Sequence, residues 1–204
     1  MDKNVQWYIQ KRIERTIENL EKHNIEACYI QNEGELIPKI ESLIPENSIV
    51  GVGDSMTLFE TGIIDLLRSG KYTFLDKYRE GITSEEKRKL YLCSTNAVTE
   101  EGELYNIDGN GNRVAAMIYG PEQVIVVCGV NKIVKNLEEA EKRVRNYVAP
   151  IDAKRLNKNT PCAYTGHCAD CQSPDRICND FVIIRSQFIK GRIRVIIVGK
   201  QLGY

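Results

Sequence analysis

Between residues 4 and 23 the apolar positions Val5, Ile9, Ile13, Ile17 and Leu20 recur at steps of three or four, with charged residues between them. That spacing puts them on one side of a helix and predicts an amphipathic helix. EACYI (26–30) predicts a short strand, 33–43 a helix ending before Pro45, and SIVGVGD (48–54) an apolar strand running into glycines. A helical stretch over 57–68, a strand at YTFLD (72–76) and a helix at SEEKRKLYLC (84–93) follow. Strands alternating with helices are the signature of parallel βαβ units. The rhythm then changes: STNAVT, GELYNI and RVAAMIYG, within 94–120, read as short strands parted by turn residues, so a meander or hairpin is expected there. QVIVVCGV (123–130) predicts a buried strand, and 133–147 a helix striped by Val134, Leu137, Ala140 and Val144. FVIIRSQ (181–187) and RIRVIIVGK (192–200) read as a β-hairpin or adjacent strands. With no internal repeat and no Pro/Ser-rich linker, one α/β domain over 1–204 is expected, carrying a cysteine-rich segment at 160–179.

Composition narrows the partners. The 28 Lys+Arg residues balance 28 Asp+Glu, so no basic footprint points to nucleic acid. No apolar run reaches the ~18 residues needed to span a bilayer. The first twenty residues are charged throughout and lack the apolar core of a secretory signal, so a cytoplasmic setting is expected. Thiols stay reduced there, which turns a cysteine cluster from a disulfide framework toward metal binding or catalysis.

Four of the seven cysteines fall in TPCAYTGHCADCQSPDRICN (160–179), spaced C-x5-C-x2-C-x6-C. Cys168 and Cys171 can supply two sulfurs from one turn, and Cys162 and Cys178 can fold back through the flanking loops to complete a four-thiolate site. Pro161, Gly166 and Pro174 break regular structure and suit such a wrap. A 4Fe–4S cluster and zinc are both compatible with this spacing. His167 adjoins Cys168 and reads as a bystander. Cys28, Cys93 and Cys128 lie in apolar runs and read as small core residues.

Three polar stretches are candidate ligand sites. GVGDS (51–55) follows an apolar strand and precedes a helix, where Gly51, Gly53 and Ser55 would let a ligand approach the backbone. Met56 replaces the third glycine of a dinucleotide fingerprint, and no Walker lysine follows. In NIDGNGNR (106–113) the residues Asn106, Asp108, Asn112 and Arg113 crowd one turn. An EF-hand reading fails, since Arg113 and Tyr119 stand where that loop needs Gly and Glu; a hairpin turn with a ligand role is expected instead. TNAVTEEGEL (95–104) places Asn96 and Glu100 at a strand end.

GVGDSMTLFETG, the long stretch NAVTEEGELYNIDGNGNRVAAMIYGPEQVIVVCGVNKIVKNLEEA and the cysteine segment together resemble the LUD-domain (lactate utilization) proteins. Ala97, Glu100 and Gly102 match the family's A-x-x-E-x-G motif. The resemblance implies a three-layer α/β/α sandwich like that of the sugar-phosphate isomerase and CoA-transferase superfamily. There, a strand-end glutamate before a glycine attacks an acyl group, which makes Glu100 the candidate catalytic residue by analogy. It also implies an accessory redox role in oxidation of lactate or another 2-hydroxyacid. The alternative is an enzyme or sensor acting on an anionic ligand. The chain resembles the small subunit in length and lacks the paired ferredoxin-like cysteine runs of the larger one. Expected partners are a small anionic metabolite and either other lactate-oxidation subunits or a second copy of the chain.

Overall fold

The computed structural model describes residues 2–78 and 89–204. Helix α1 (Lys3–Lys22) starts where Asp2 accepts hydrogen bonds from the backbone N–H groups of Asn4 and Val5, at 2.8 and 3.2 Å. Its stripe buries Ile13, Thr16 and Leu20, while Val5 at the free end stays exposed.

Six strands form a wholly parallel sheet: β1 (Glu26–Ile30), β2 (Ile49–Val52), β3 (Thr73–Phe74), β4 (Leu90–Cys93), β7 (Gln123–Gly129) and β10 (Ile193–Val198), in the order β1-β10-β7-β4-β2-β3. Side-chain alternation divides the core. Val124, Val126 and Cys128 of β7 face α1, whereas Ile125 and Val127 face the opposite layer. That layer holds α2 (Leu36–Leu43), α3 (Met56–Glu60) and α4 (Ile63–Arg68). The result is the expected three-layer α/β/α sandwich, with helices covering both faces of a parallel sheet.

A second sheet, ordered β8-β5-β6-β9, packs beside α1. It consists of β5 (Ala97–Thr99), β6 (Leu104–Asp108), β8 (Ile133–Val134) and β9 (Asp180–Ile184). Its other face is covered by α6 (Leu137–Arg143), which continues through a π-helical turn at Val144–Val148 into α7 (Ala149–Arg155).

Three expectations are corrected. Leu90–Cys93 is a central strand and not the end of a helix, because all four side chains are buried; a short apolar run shows no periodicity that separates the two states. The first half of that expected helix, 84–88, lies outside the described residues. RVAAMIYG forms α5 (Asn112–Ile118) and not a strand. Asp108 Oδ2 accepts from the backbone N–H of Arg113 and of Val114, both at 3.1 Å, so the expected hairpin turn is instead a helix start. Finally, β9 and β10 do not pair. β9 runs antiparallel to β6 with an alternating exposed pattern, while β10 is almost wholly buried and sits between β1 and β7.

Candidate functional site

A cavity of about 560 Å³ opens at the carboxyl ends of β2, β4 and β7. In a parallel sheet this end gathers the loops that leave the strands, which is why ligands bind there. Asp54–Thr57 follow β2, Ser94–Asn96 follow β4, and Lys132 ends the turn after β7; all contribute to the wall. The opposite side comes from Asp108, Asn112 and Arg113, from α7, and from Pro174–Ile177 of the cysteine segment.

Of the expected ligand residues, Ser55, Asn96, Asp108, Asn112 and Arg113 line this one cavity. Gly51 and Gly53 are buried and are not part of its wall. A Cβ on Gly53 would lie 2.6 Å from Tyr91 Oη and 3.0 Å from Arg113 Cγ, so this glycine makes room for the protein's own side chains. Asn106 is also buried, beneath Arg113. Arg113 organises the wall: Nη1 donates to Asn106 Oδ1 (2.7 Å) and the Ser94 carbonyl (3.2 Å), and Nη2 to Asn96 Oδ1 (2.9 Å) and the Ile107 carbonyl (3.0 Å).

Glu100 is not brought to the cavity. Its carboxylate meets Arg12 Nε and Arg15 Nη2 of α1, each at 2.6 Å, and Asn19 Nδ2 donates to its carbonyl at 2.8 Å. The A-x-x-E-x-G motif is thus the seat on which α1 docks. Burial opposes ionisation of Glu100, but Arg12 and Arg15 hold its carboxyl below the usual range. A depressed folded-state pKa stabilises above the unfolded value of 4.5 and is lost as pH falls through the folded one. Glu100→Gln is therefore expected to cost about 1–2 kcal/mol at pH 7. In urea unfolding the gap to wild type should close at acidic pH; a gap independent of pH would refute the ion-pair role.

The residue that sequence reasoning missed is Lys132. It is 3% exposed yet lines the cavity. Its ammonium donates to Ser94 Oγ at 3.0 Å and Thr57 Oγ1 at 3.3 Å, and forms no ion pair among the described residues. The four aspartates of the cavity wall are otherwise engaged: Asp54 by Lys77 (3.0 Å), Asp152 by Arg155 (2.7 Å), Asp175 by the Asn159 N–H (2.9 Å), and Asp108 by the start of α5. Burial pushes Lys132 down to about 8, with Arg143 and Arg113 adding repulsion and Cys128 opposing. The available signal was positional: a lysine three residues past the end of a buried apolar strand.

All four clustered cysteines are half-buried and free. Cys162 lies on α8 (Pro161–Thr165), which ends at Gly166 with φ +70°. Arg176 ties the loop together, donating to the carbonyls of Cys171 (2.6 Å) and Cys178 (3.0 Å) and to Asp170 (3.1 Å). Burial pushes the Cys178 thiol up; Arg176 opposes this, and nearby Cys168 and Cys171 add to it. The donor chemistry suits a thiolate-bound metal centre, with Arg176 at hand to offset its negative charge. Among the described residues, no three Cys, His, Asp or Glu side chains are gathered as metal ligands. Cys93 and Cys128 are fully enclosed, and burial pushes both thiols up to about 12, so they stay protonated.

The LUD domain profile matches residues 13–198 of the sequence. The chain belongs to the LUD-domain family. It is a lactate utilization-type protein whose fold is also that of a DUF162 family protein from Deinococcus radiodurans, solved by crystallography. The two share 14% identity with a TM-score of 0.58, over 94% of this chain and 98% of the other. No curated protein matches the sequence significantly. Among the described residues, no helix of this LUD-domain protein is long and apolar enough to cross a membrane.

Proposed function

We propose that this LUD-domain protein binds a small organic acid anion, of the 2-hydroxy- or 2-oxo-carboxylate class, in the cavity at the ends of β2, β4 and β7. The observation that carries this reading is the buried Lys132 ammonium, which meets two hydroxyls while the four aspartates of the cavity wall each have another partner. A buried cation without a counter-ion is costly, and a carboxylate entering the cavity supplies one. The volume falls in the range of small-molecule sites and exceeds what a three-carbon acid fills, leaving room for a longer acid or a second reactant.

Thermal unfolding with lactate or pyruvate tests the reading, because a ligand selective for the native state raises Tm. Neutral propanediol should give no shift. Affinity should fall as pH rises through about 8, where the free protein's Lys132 loses its proton. The linkage for stability has the matching sign. The burial penalty on Lys132 is fully present below about 8 and is relieved between there and the unfolded value of 10.5. Lys132→Met is accordingly expected to stabilise the empty protein by about 1–3 kcal/mol while abolishing the Tm shift by either acid. A variant that keeps the shift would refute the assignment.

A second reading rests on Arg176, whose side chain lines the cavity while holding the Cys171 and Cys178 carbonyls. In it, Cys162, Cys168, Cys171 and Cys178 hold an iron–sulfur cluster or zinc, and the chain is an accessory redox subunit of 2-hydroxyacid oxidation. An iron–sulfur cluster would supply one-electron transfer beside the cavity; zinc would brace its wall. Cys171→Ser should then remove most iron or zinc from anaerobically prepared protein, since a hydroxyl is a poor replacement for a thiolate. Cys93→Ser should retain it. Unchanged metal content in the first variant would end this reading.

A further inference from the structure

Lys132 is the only lysine among the described residues that is buried, and its amine is presented to a cavity and not to a carboxylate. We infer that Lys132 is a nucleophile that forms an imine with the carbonyl carbon of a 2-oxo acid bound in this cavity. The inference rests on the anion-binding reading and goes beyond it, from a counter-ion to a covalent anchor.

Three features of the site fit that chemistry. The Nζ atom reaches the cavity wall through a turn held at the end of a central strand, so its position is fixed by the sheet. Ser94 Oγ and Thr57 Oγ1 lie at 3.0 and 3.3 Å, close enough to take up and return the protons that move during addition and dehydration. The half-buried Lys158 also lines the cavity and makes no side-chain ion pair among the described residues, leaving a cation for the acid's carboxylate. Burial acts most strongly on Lys132 and disfavours its charge, as do Arg143 and Arg113, against Cys128 and Glu60, which favour it; the balance leaves a substantial share of neutral amine near pH 8.

The step balances without an oxidant. The lone pair of the neutral amine attacks the carbonyl carbon, and the carbonyl oxygen takes a proton. The carbinolamine then loses that oxygen as water while the nitrogen lone pair forms the C=N bond. Overall, the lysine ammonium and the ketone give a protonated imine and one water, with charge conserved. The iminium keeps a cation beside the carboxylate, where the ammonium stood.

The test is reductive trapping of the full-length protein with pyruvate and sodium borohydride, read by intact mass and peptide mapping. One adduct per chain is expected, on Lys132, exceeding labelling at any other lysine by at least about tenfold, since neutral amine is far scarcer at ordinary lysines. Excess lactate, which has no carbonyl, should suppress it by occupying the same cavity. Lys132→Arg keeps the cation and should lose the adduct while retaining a Tm shift by pyruvate. If that variant does not fold, lactate protection of the wild type still decides the matter. Absence of an adduct in wild-type protein that pyruvate still stabilises would overturn the imine and leave the anion site standing. Labelling spread evenly over the lysines, or labelling of Lys132 that lactate does not reduce, would also overturn it. Failure of the underlying reading would be seen separately, as no stabilisation by either acid.

Discussion

Replacing Arg113 by alanine is expected to destabilise the protein by about 3–5 kcal/mol, because it leaves several buried acceptors unpaired at once. The guanidinium is 8% exposed and meets four oxygens between 2.7 and 3.2 Å: two asparagine side chains and two main-chain carbonyls. Those acceptors belong to separate segments, the end of β4 (Ser94, Asn96) and the end of β6 (Asn106, Ile107). Arg113 therefore fastens the parallel sheet's loops to the second sheet. Asn96 Oδ1 also accepts from the Ile107 N–H at 2.9 Å, so this acceptor keeps one partner when Arg113 goes. Arg113→Lys should recover only part of the loss, since an ammonium on a flexible stem cannot reproduce a planar fork meeting four acceptors. Urea unfolding at constant m-value measures both variants. A cost below about 1 kcal/mol for the alanine variant would mean the loops hold without this network.

Gly102→Ala is expected to cost about 3 kcal/mol or more, from two sources that add. Gly102 has φ +85°, a conformation that disfavours any side chain. A Cβ there would also fall 2.5 Å from the Asn19 carbonyl carbon and 2.7 Å from the Leu20 nitrogen, both in the backbone of α1. Main chain in a docked helix cannot swing aside as a flexible side chain can, so the helix must shift and its buried Ile13 and Leu20 lose contacts. Gly120→Ala separates the two effects. Gly120 has φ +107°, and a Cβ added there would meet nothing within 4 Å, so only the backbone cost of about 1 kcal/mol applies. Equal losses in the two variants would show that α1 does not press on Gly102.

Both residues carry a lesson about what a linear motif conveys. Gly102 and Glu100 stand out in A-x-x-E-x-G, and analogy made the glutamate a nucleophile. In the folded chain the same pair holds a helix: Arg12, Arg15 and Asn19 reach Glu100, and His23 Nδ1 lies 3.1 Å from the Gly102 carbonyl. Nothing local distinguishes a carboxylate poised for attack from one clamped by two arginines, because the arginines lie more than eighty positions away. Arg113, by contrast, stood out from the crowding of polar groups in NIDGNGNR, and it does line the cavity. The turn type was not, because Asp108 can cap a helix as readily as it can open a hairpin.

The sequence by itself determined the layered α/β architecture, since apolar runs buried on both faces must be parallel strands covered by helices on each side. It determined that four of the seven cysteines gather in one short segment, and that the polar residues of 54–55 and 108–113 follow strand ends. Only the tertiary structure decided that β9 and β10 part into different sheets, that Glu100 faces α1, and that Lys132 meets Thr57 and Ser94. The partners of Lys132 lie 75 and 38 residues from it. Periodicity and turn chemistry act over a few residues and are written in local order. The charge state and partners of a buried amine depend on which distant segments the closed sheet brings to its end, and that is settled by packing alone.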